Sequence, residues 1–187
     1  MKRRAVFPRR VPAVETALCA AALAAGFLAC LLWSAAAKGA DPTRRIADAL
    51  DLEWKGTPKA VQTLDSHGGF HGDGLTYVEL ELDAESCEAL KAAAKRGDGW
   101  RTPPLSETAE TVFYGTERLE NGVLLSRSAA TPEGVRIPKV QSGCWRLIDR
   151  QAGAPEQIFD ESRRSVNFTA ALVDFDRLRL YFLEIDS

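Results

Sequence analysis

The residues best suited to chemistry lie in one stretch, Asp65-Ser66-His67-Gly68-Gly69-Phe70-His71-Gly72-Asp73-Gly74. It holds both histidines of the chain, two carboxylates, one aromatic and four of the fourteen glycines. Imidazoles beside carboxylates supply either metal ligands or a general acid–base pair. His67 and His71 stand four apart, the spacing that sets two ligands on one helix face, but the glycines forbid a helix here. A loop could still wrap both imidazoles round a divalent transition metal such as zinc, with Asp65 and Asp73 completing a set of nitrogen and oxygen ligands. The competing reading is a tight connection between two strands. In it Asp73-Gly74 makes a turn, glycines such as Gly68, Gly69 and Gly72 supply positive φ, and the histidines hydrogen-bond to backbone. With no third histidine or paired cysteine to support a metal, the structural reading is preferred and no cofactor is expected.

Two function classes follow. One is a binding or interaction module whose contacts are the loop, Asp65 to Gly74, with aromatics such as Phe70 and Tyr77. The other is a metal-dependent hydrolase with His67 and His71 as ligands and Asp65 or Asp73 as ligand or general base. No serine sits in a Gly-x-Ser-x-Gly elbow, and no phosphate-binding or dinucleotide fingerprint exists. Glu79 and Glu81 share a strand face near the loop, where a solvated edge explains them as well as a site does. Asn167-Phe168-Thr169 matches a glycosylation acceptor, but it falls within an expected strand and is read as unmodified.

The elements that must position this loop begin with a separate N-terminal segment. Lys2, Arg3, Arg4, Arg9 and Arg10 precede any acid, and Thr16 to Ala37 is a run of 22 residues without a charge. About 20 apolar residues span a bilayer as a helix, and the basic flank stays in the cytoplasm. The expected order is a basic cytoplasmic tail at 1–15, a transmembrane anchor at 16–37, a juxtamembrane helix and linker at 38–58, and an extracytoplasmic domain at 59–187. Two alternatives remain: peptidase cleavage after the small residues Ala35-Ala36-Ala37, and lipidation at Cys30, which the apolar Leu31, Leu32 and Trp33 disfavour.

Residues 1–40 carry six of the 24 Lys/Arg and one of the 26 Asp/Glu, so the rest has 18 basic against 25 acidic side chains, a net charge of −7. That balance, without a basic stripe, excludes nucleic acid as a partner. The partners expected are the membrane, through the anchor, and an unknown protein or small molecule. Cys87 and Cys144, the two cysteines beyond the span, either form a disulfide or stay as buried thiols.

Within the domain, Asp41-Pro42-Thr43 starts a short helix with Ile46, Ala49 and Leu50 as its stripe. Lys59 to Leu64 reads as a strand into the loop. Val78, Leu80 and Leu82 alternate with Tyr77, Glu79 and Glu81 as in a half-buried strand. Asp83 caps a helix over Ala84–Arg96 that Gly97 stops. Strands are expected at Thr111–Tyr114, Val123–Ser126, Val135–Val140 and Cys144–Asp149, with an Asn121-Gly122 turn between the first two. Val166–Val173 and Leu178–Ile185 make a hairpin. The fold class is α+β: after the transmembrane helix, one domain with a mainly antiparallel sheet and one or two helices packed on one face.

The loop motif, followed by a strand, Trp145 with Ile148-Asp149-Arg150, Asn167-Phe168-Thr169-x-Ala171, Asp174-x-Asp176 and Leu180-Tyr181, resembles a family of short bacterial membrane-anchored proteins. The likeness covers roughly residues 60–186. It implies one N-terminal hydrophobic segment, an outer domain of this size, and a loop and terminal hairpin that act as one unit. It implies no activity. The chain departs from the pattern at Cys144 and Arg146, where the family has an aromatic-rich strand.

Overall fold

A computed structural model describes residues 41–68, 72–120, 123–151, 154–160 and 162–187, with 118–120 and 123–125 described by their backbone alone. The expected tail and anchor, Gly69, Phe70 and His71 of the loop, and the Asn121-Gly122 turn lie outside these residues. Among the described residues no helix is long and apolar enough to cross a membrane. The domain is α+β, and Pro42 to Ser187 forms a compact unit.

Five antiparallel strands make the main sheet: β1 (Lys59–Asp65), β2 (Gly74–Glu81), β5 (Gly143–Asp149), β6 (Phe168–Asp174) and β7 (Arg179–Asp186). Their order is β1-β2-β7-β6-β5, so the terminal hairpin lies at the centre with the loop-bearing hairpin beside it. A separate two-stranded ribbon comprises β3 (Thr116–Glu120) and β4 (Val123–Arg127). Three helices complete the described elements: α1 (Pro42–Leu50), α2 (Ala84–Arg96) and α3 (Glu107–Tyr114).

The capping signals at α2 act as their chemistry dictates. The Asp83 carboxylate accepts from Ser86 N at 2.7 Å, and Gly97, at φ 78°, donates its N–H to Ala93 O. Cys87, Leu90 and Ala93 then face the sheet. Helix α1 buries Ile46 and Leu50 completely and ends where Asp51 turns to φ 48°. Aspartate tolerates that left-handed conformation better than most side chains.

Both faces of the sheet are buried, which corrects the expectation of one or two helices on one face. Val78, Leu80, Val173, Leu180 and Phe182 pack under Ile46 and Leu50 of α1 and Leu90 of α2. On the other face Tyr77, Phe168, Leu172, Tyr181 and Leu183 pack under Val112 and Phe113 of α3. Strand β2 is therefore not half-buried: Thr76, Tyr77, Val78 and Leu80 are all inside.

Two expected strands are not strands. Thr111–Tyr114 belongs to α3, whose N-cap Ser106 accepts from Ala109 N at 3.3 Å. Its β-branched and aromatic residues suggest a strand locally, but Ala109, Val112 and Phe113 recur at helical spacing and bury together, so packing overrides propensity. Val135–Val140 is irregular. Pro138 has no N–H for a ladder, and the Tyr114 hydroxyl closes the segment instead, accepting from Val140 N at 3.1 Å.

Candidate functional site

The loop is the connection of the β1–β2 hairpin, and its base is closed by hydrogen bonds. Asp65 pairs with Thr76 across the ladder. Next to them Ser66 N donates to Leu75 O at 2.9 Å, while Leu75 N donates to the Ser66 hydroxyl at 2.9 Å. Gly72 has φ +73°, the positive φ expected of the glycines. Gly74 is required for a different reason: a β-carbon there would stand 2.6 Å from His67 Cα. The backbone and Cγ of His67 lie against that bare glycine.

His67 is engaged at every polar atom of its ring. Nδ1 lies 2.7 Å from Asp65 Oδ1 and 3.2 Å from the Thr76 hydroxyl, and Nε2 lies 3.1 Å from Asp186 Oδ2. The His67 backbone N–H donates to Asp65 Oδ1 as well, at 2.9 Å. From Asp186 the network continues to Arg150 Nη2 at 2.8 Å, and Arg150 Nη1 reaches Glu184 Oε1 at 3.2 Å. Glu184 Oε2 accepts from Arg45 Nη2 at 2.7 Å, and Arg45 Nη1 stands 3.6 Å from Asp65 Oδ2. The circuit closes: Asp65, His67, Asp186, Arg150, Glu184, Arg45 and back to Asp65. Three carboxylates and the three basic side chains His67, Arg150 and Arg45 alternate round the ring.

Sheet register assembles this ring. Asp65, Thr76, Glu184 and Thr169 lie in one row across four strands, on the face that carries Val78 and Phe182 two residues further in. The apolar face thus gives way to a polar end, capped by Arg45 of α1 and by Arg150, which follows β5. Arg150 also donates to Ile185 O at 2.6 Å and so fastens β7 directly. Burial pushes the Asp65 carboxyl up, but the hydrogen bonds from the His67 backbone and ring, with the charges of His67 and Arg45, outweigh it and hold the carboxyl below its ordinary value.

Of the expected site residues, the structure brings Asp65 and His67 together and wraps them on Gly74. Gly68, Gly72 and Asp73 are exposed, and Asp73 is not part of the ring. Gly69, Phe70 and His71 lie outside the described residues. Among the described residues no group of three or more His, Cys, Asp and Glu is arranged to hold a metal ion. Coordination by His67 requires breaking one of its carboxylate bonds. Tyr77 is corrected: it is 1% exposed in the core on the opposite face, so it is no surface contact. Glu79 and Glu81 are held by Arg179 at 3.3 and 2.8 Å. Cys87 and Cys144 are buried free thiols, and burial with the neighbouring Cys87 pushes Cys144 up to about 12.

A second feature was not legible in the sequence. A cleft of about 650 Å³ opens between residues 51–55, after α1, and one flank of α2. Its walls include Trp54, Ala89, Leu90, Ala93 and Trp100, with Arg146 of β5 beside them. Trp54 is pinned by its indole N–H, which donates to Thr43 O at 2.9 Å. Arg146 Nη1 donates to Leu50 O at 2.6 Å, closing the C-terminus of α1. Among the described residues no carboxylate pairs with this part-buried guanidinium. Trp100 Nε1 is buried and has no hydrogen-bond partner among the described residues. The available signal was weak: a lone arginine alternating with Cys144 and Ile148 on an otherwise apolar strand face.

Comparison with protein-family models, with curated proteins and with solved structures returns no match. The reading of function therefore rests on the geometry of this chain.

Proposed function

We propose that the chain is a single-pass membrane-anchored protein, N-terminus in the cytoplasm, whose extracytoplasmic domain binds a ligand and is not an enzyme. The anchor is residues 16–37, on the strength of their 22 uncharged residues and the basic flank before them. The observation that carries the binding reading is the cleft between residues 51–55 and α2. Its volume, about 650 Å³, lies in the range of small-molecule sites. Indole and alkyl walls provide area, and an arginine without a carboxylate provides direction.

The loop around His67 supports the same domain in another way. A metal-dependent hydrolase needs an open ligand position or a base free to take a proton, and His67 has a carboxylate at each nitrogen. Its bonds are those of a clasp that ties the β1–β2 hairpin to the end of β7. Gly68, Gly72 and Asp73 are exposed beyond this clasp, and the ligand is held elsewhere.

Two measurements test the reading. Protease added to intact cells, with any outer wall removed, should digest the domain; digestion only after lysis would invert the topology. Ligand-observed NMR with the full chain in nanodiscs should find fragments whose binding is lost in Ala89→Trp, which fills the cleft. Fragments bound equally well by Ala89→Trp would move the ligand away from the cleft.

A further inference from the structure

The cleft carries a more specific assignment, which rests on the binding reading above. We propose that it takes a small carboxylate with an apolar body, its carboxylate held by Arg146 and its body lying against Trp54 and Trp100.

Among the described arginines that are part-buried, Arg146 stands apart. Arg45, Arg163 and Arg179 each hold a carboxylate within 4 Å. Arg146 instead bonds the Leu50 carbonyl, and the other described arginines without a carboxylate, Arg127, Arg136 and Arg164, are exposed. A guanidinium has five N–H donors in a planar fork, so one bond leaves it able to grip an anion with two parallel hydrogen bonds. Taking such a group out of water without a counter-charge is costly, and a ligand anion removes that cost.

The backbone is shaped to present the fork. Gly99 has φ +76°, and a β-carbon there would come within 3.0 Å of Arg146 Nε and 3.3 Å of its Cζ. The guanidinium therefore lies along bare glycine backbone, fixed from one side by Gly99 and from the other by Leu50 O. Trp100, 3% exposed, follows immediately and lines the same cleft.

The other charges of the cleft do not compete. Arg96 donates to Asp98 at 2.8 Å and Lys55 to Glu53 at 2.6 Å, and all four are exposed. Asp51 is solvent-exposed at the mouth, where water and salt screen it. The positive charge left over on the inner wall is Arg146. Leu90, Ala89 and Ala93 supply the alkyl surface that an apolar body covers. The body is aromatic or aliphatic, and the two sources are separated by the probes.

The test is calorimetric titration of the full chain in nanodiscs, with empty nanodiscs subtracted. Two acid–amide pairs are the probes: indole-3-acetate against indole-3-acetamide, and octanoate against octanamide. At least one acid should bind roughly tenfold or more tightly than its amide, since charge-assisted bidentate bonds are about twice as strong as neutral ones. Arg146→Gln, which keeps a donor for Leu50 O, should abolish that preference, and Arg146→Lys should retain part of it. Ala89→Trp should remove binding of acid and amide alike. Equal binding of acid and amide, both lost in Ala89→Trp, would overturn the carboxylate assignment while leaving the cleft as a binding site. Acid preference unchanged in a folded Arg146→Gln protein would also overturn it. No binding of any probe at millimolar concentration would sink the assignment, whereas fragments of other chemistry lost in Ala89→Trp would preserve the broader reading.

Discussion

His67→Ala should destabilise the domain by about 2 kcal/mol, and no metal should be involved. The substitution removes the ring nitrogens that lie 2.7 Å from Asp65 and 3.1 Å from Asp186, and with them the partner of the Thr76 hydroxyl at 3.2 Å. A hydrogen bond to a charged group contributes about 1.5–3 kcal/mol and a neutral one about 1 kcal/mol. The carboxylate bonds must be discounted heavily, because the Asp65 and Asp186 side chains are 47% and 35% exposed and water replaces much of what is lost. Thr76 is different. It is 2% exposed, and an orphaned buried hydroxyl costs about 1–3 kcal/mol. Urea unfolding of the intact chain in mild detergent, followed by far-ultraviolet circular dichroism, measures the loss as a lower midpoint at unchanged slope. Thr76→Val in the His67→Ala background should recover part of the loss, since it removes the orphaned group. A loss below about 0.5 kcal/mol would refute the clasp, as would a wild-type midpoint that falls on adding a chelator.

The remaining predictions concern the same framework. Gly74→Ala should cost about 1–3 kcal/mol by overpacking, because the new methyl lands on the backbone of His67; a neutral variant would show that the loop yields freely. Asp65 has a folded-state pKa below its ordinary 3.8, so its share of stability is full above that pH and is lost as pH falls through the depressed value. In Asp65→Asn the wild-type advantage should therefore narrow below about pH 4, and a gap constant down to pH 2 would contradict the assignment. Cys87 and Cys144 should resist a thiol-alkylating reagent at pH 8 until the protein unfolds, since both are buried and Cys144 is pushed up to about 12; rapid native labelling would mean that α2 lifts from the sheet.

Local chemistry was enough to place some elements in full. Helix α2 is bounded by Asp83 and Gly97, each of which acts on backbone groups within four residues of itself. The terminal hairpin reads from its two apolar, β-branched and aromatic runs and the polar residues between them, and the second half of Gly74–Glu81 from its alternation. Such signals survive in a sequence because the interactions they report are short in chain separation. Thr111–Tyr114 failed for the complementary reason. Its residues favour a strand, and only the sheet beneath Ala109, Val112 and Phe113 turns them into a helix.

The loop was legible as a place and illegible as a device. Glycine content and two histidines marked it, but its partners lie far along the chain: Asp186 is 119 residues from His67, and Glu184 is 139 from Arg45. Asp65, Thr76 and Glu184 meet only because β1, β2 and β7 pair in one register, and a slip of one residue would send each to the other face. The cleft is more dependent still on tertiary structure. Arg146 closes a helix that ends 96 residues earlier, and nothing in its own neighbourhood announces a guanidinium left without a carboxylate. The proposed anchor is the opposite case. Its signal, a run of 22 uncharged residues behind five positive charges, is complete in the segment itself, because the partition of an apolar helix into a bilayer does not depend on what the rest of the chain packs against.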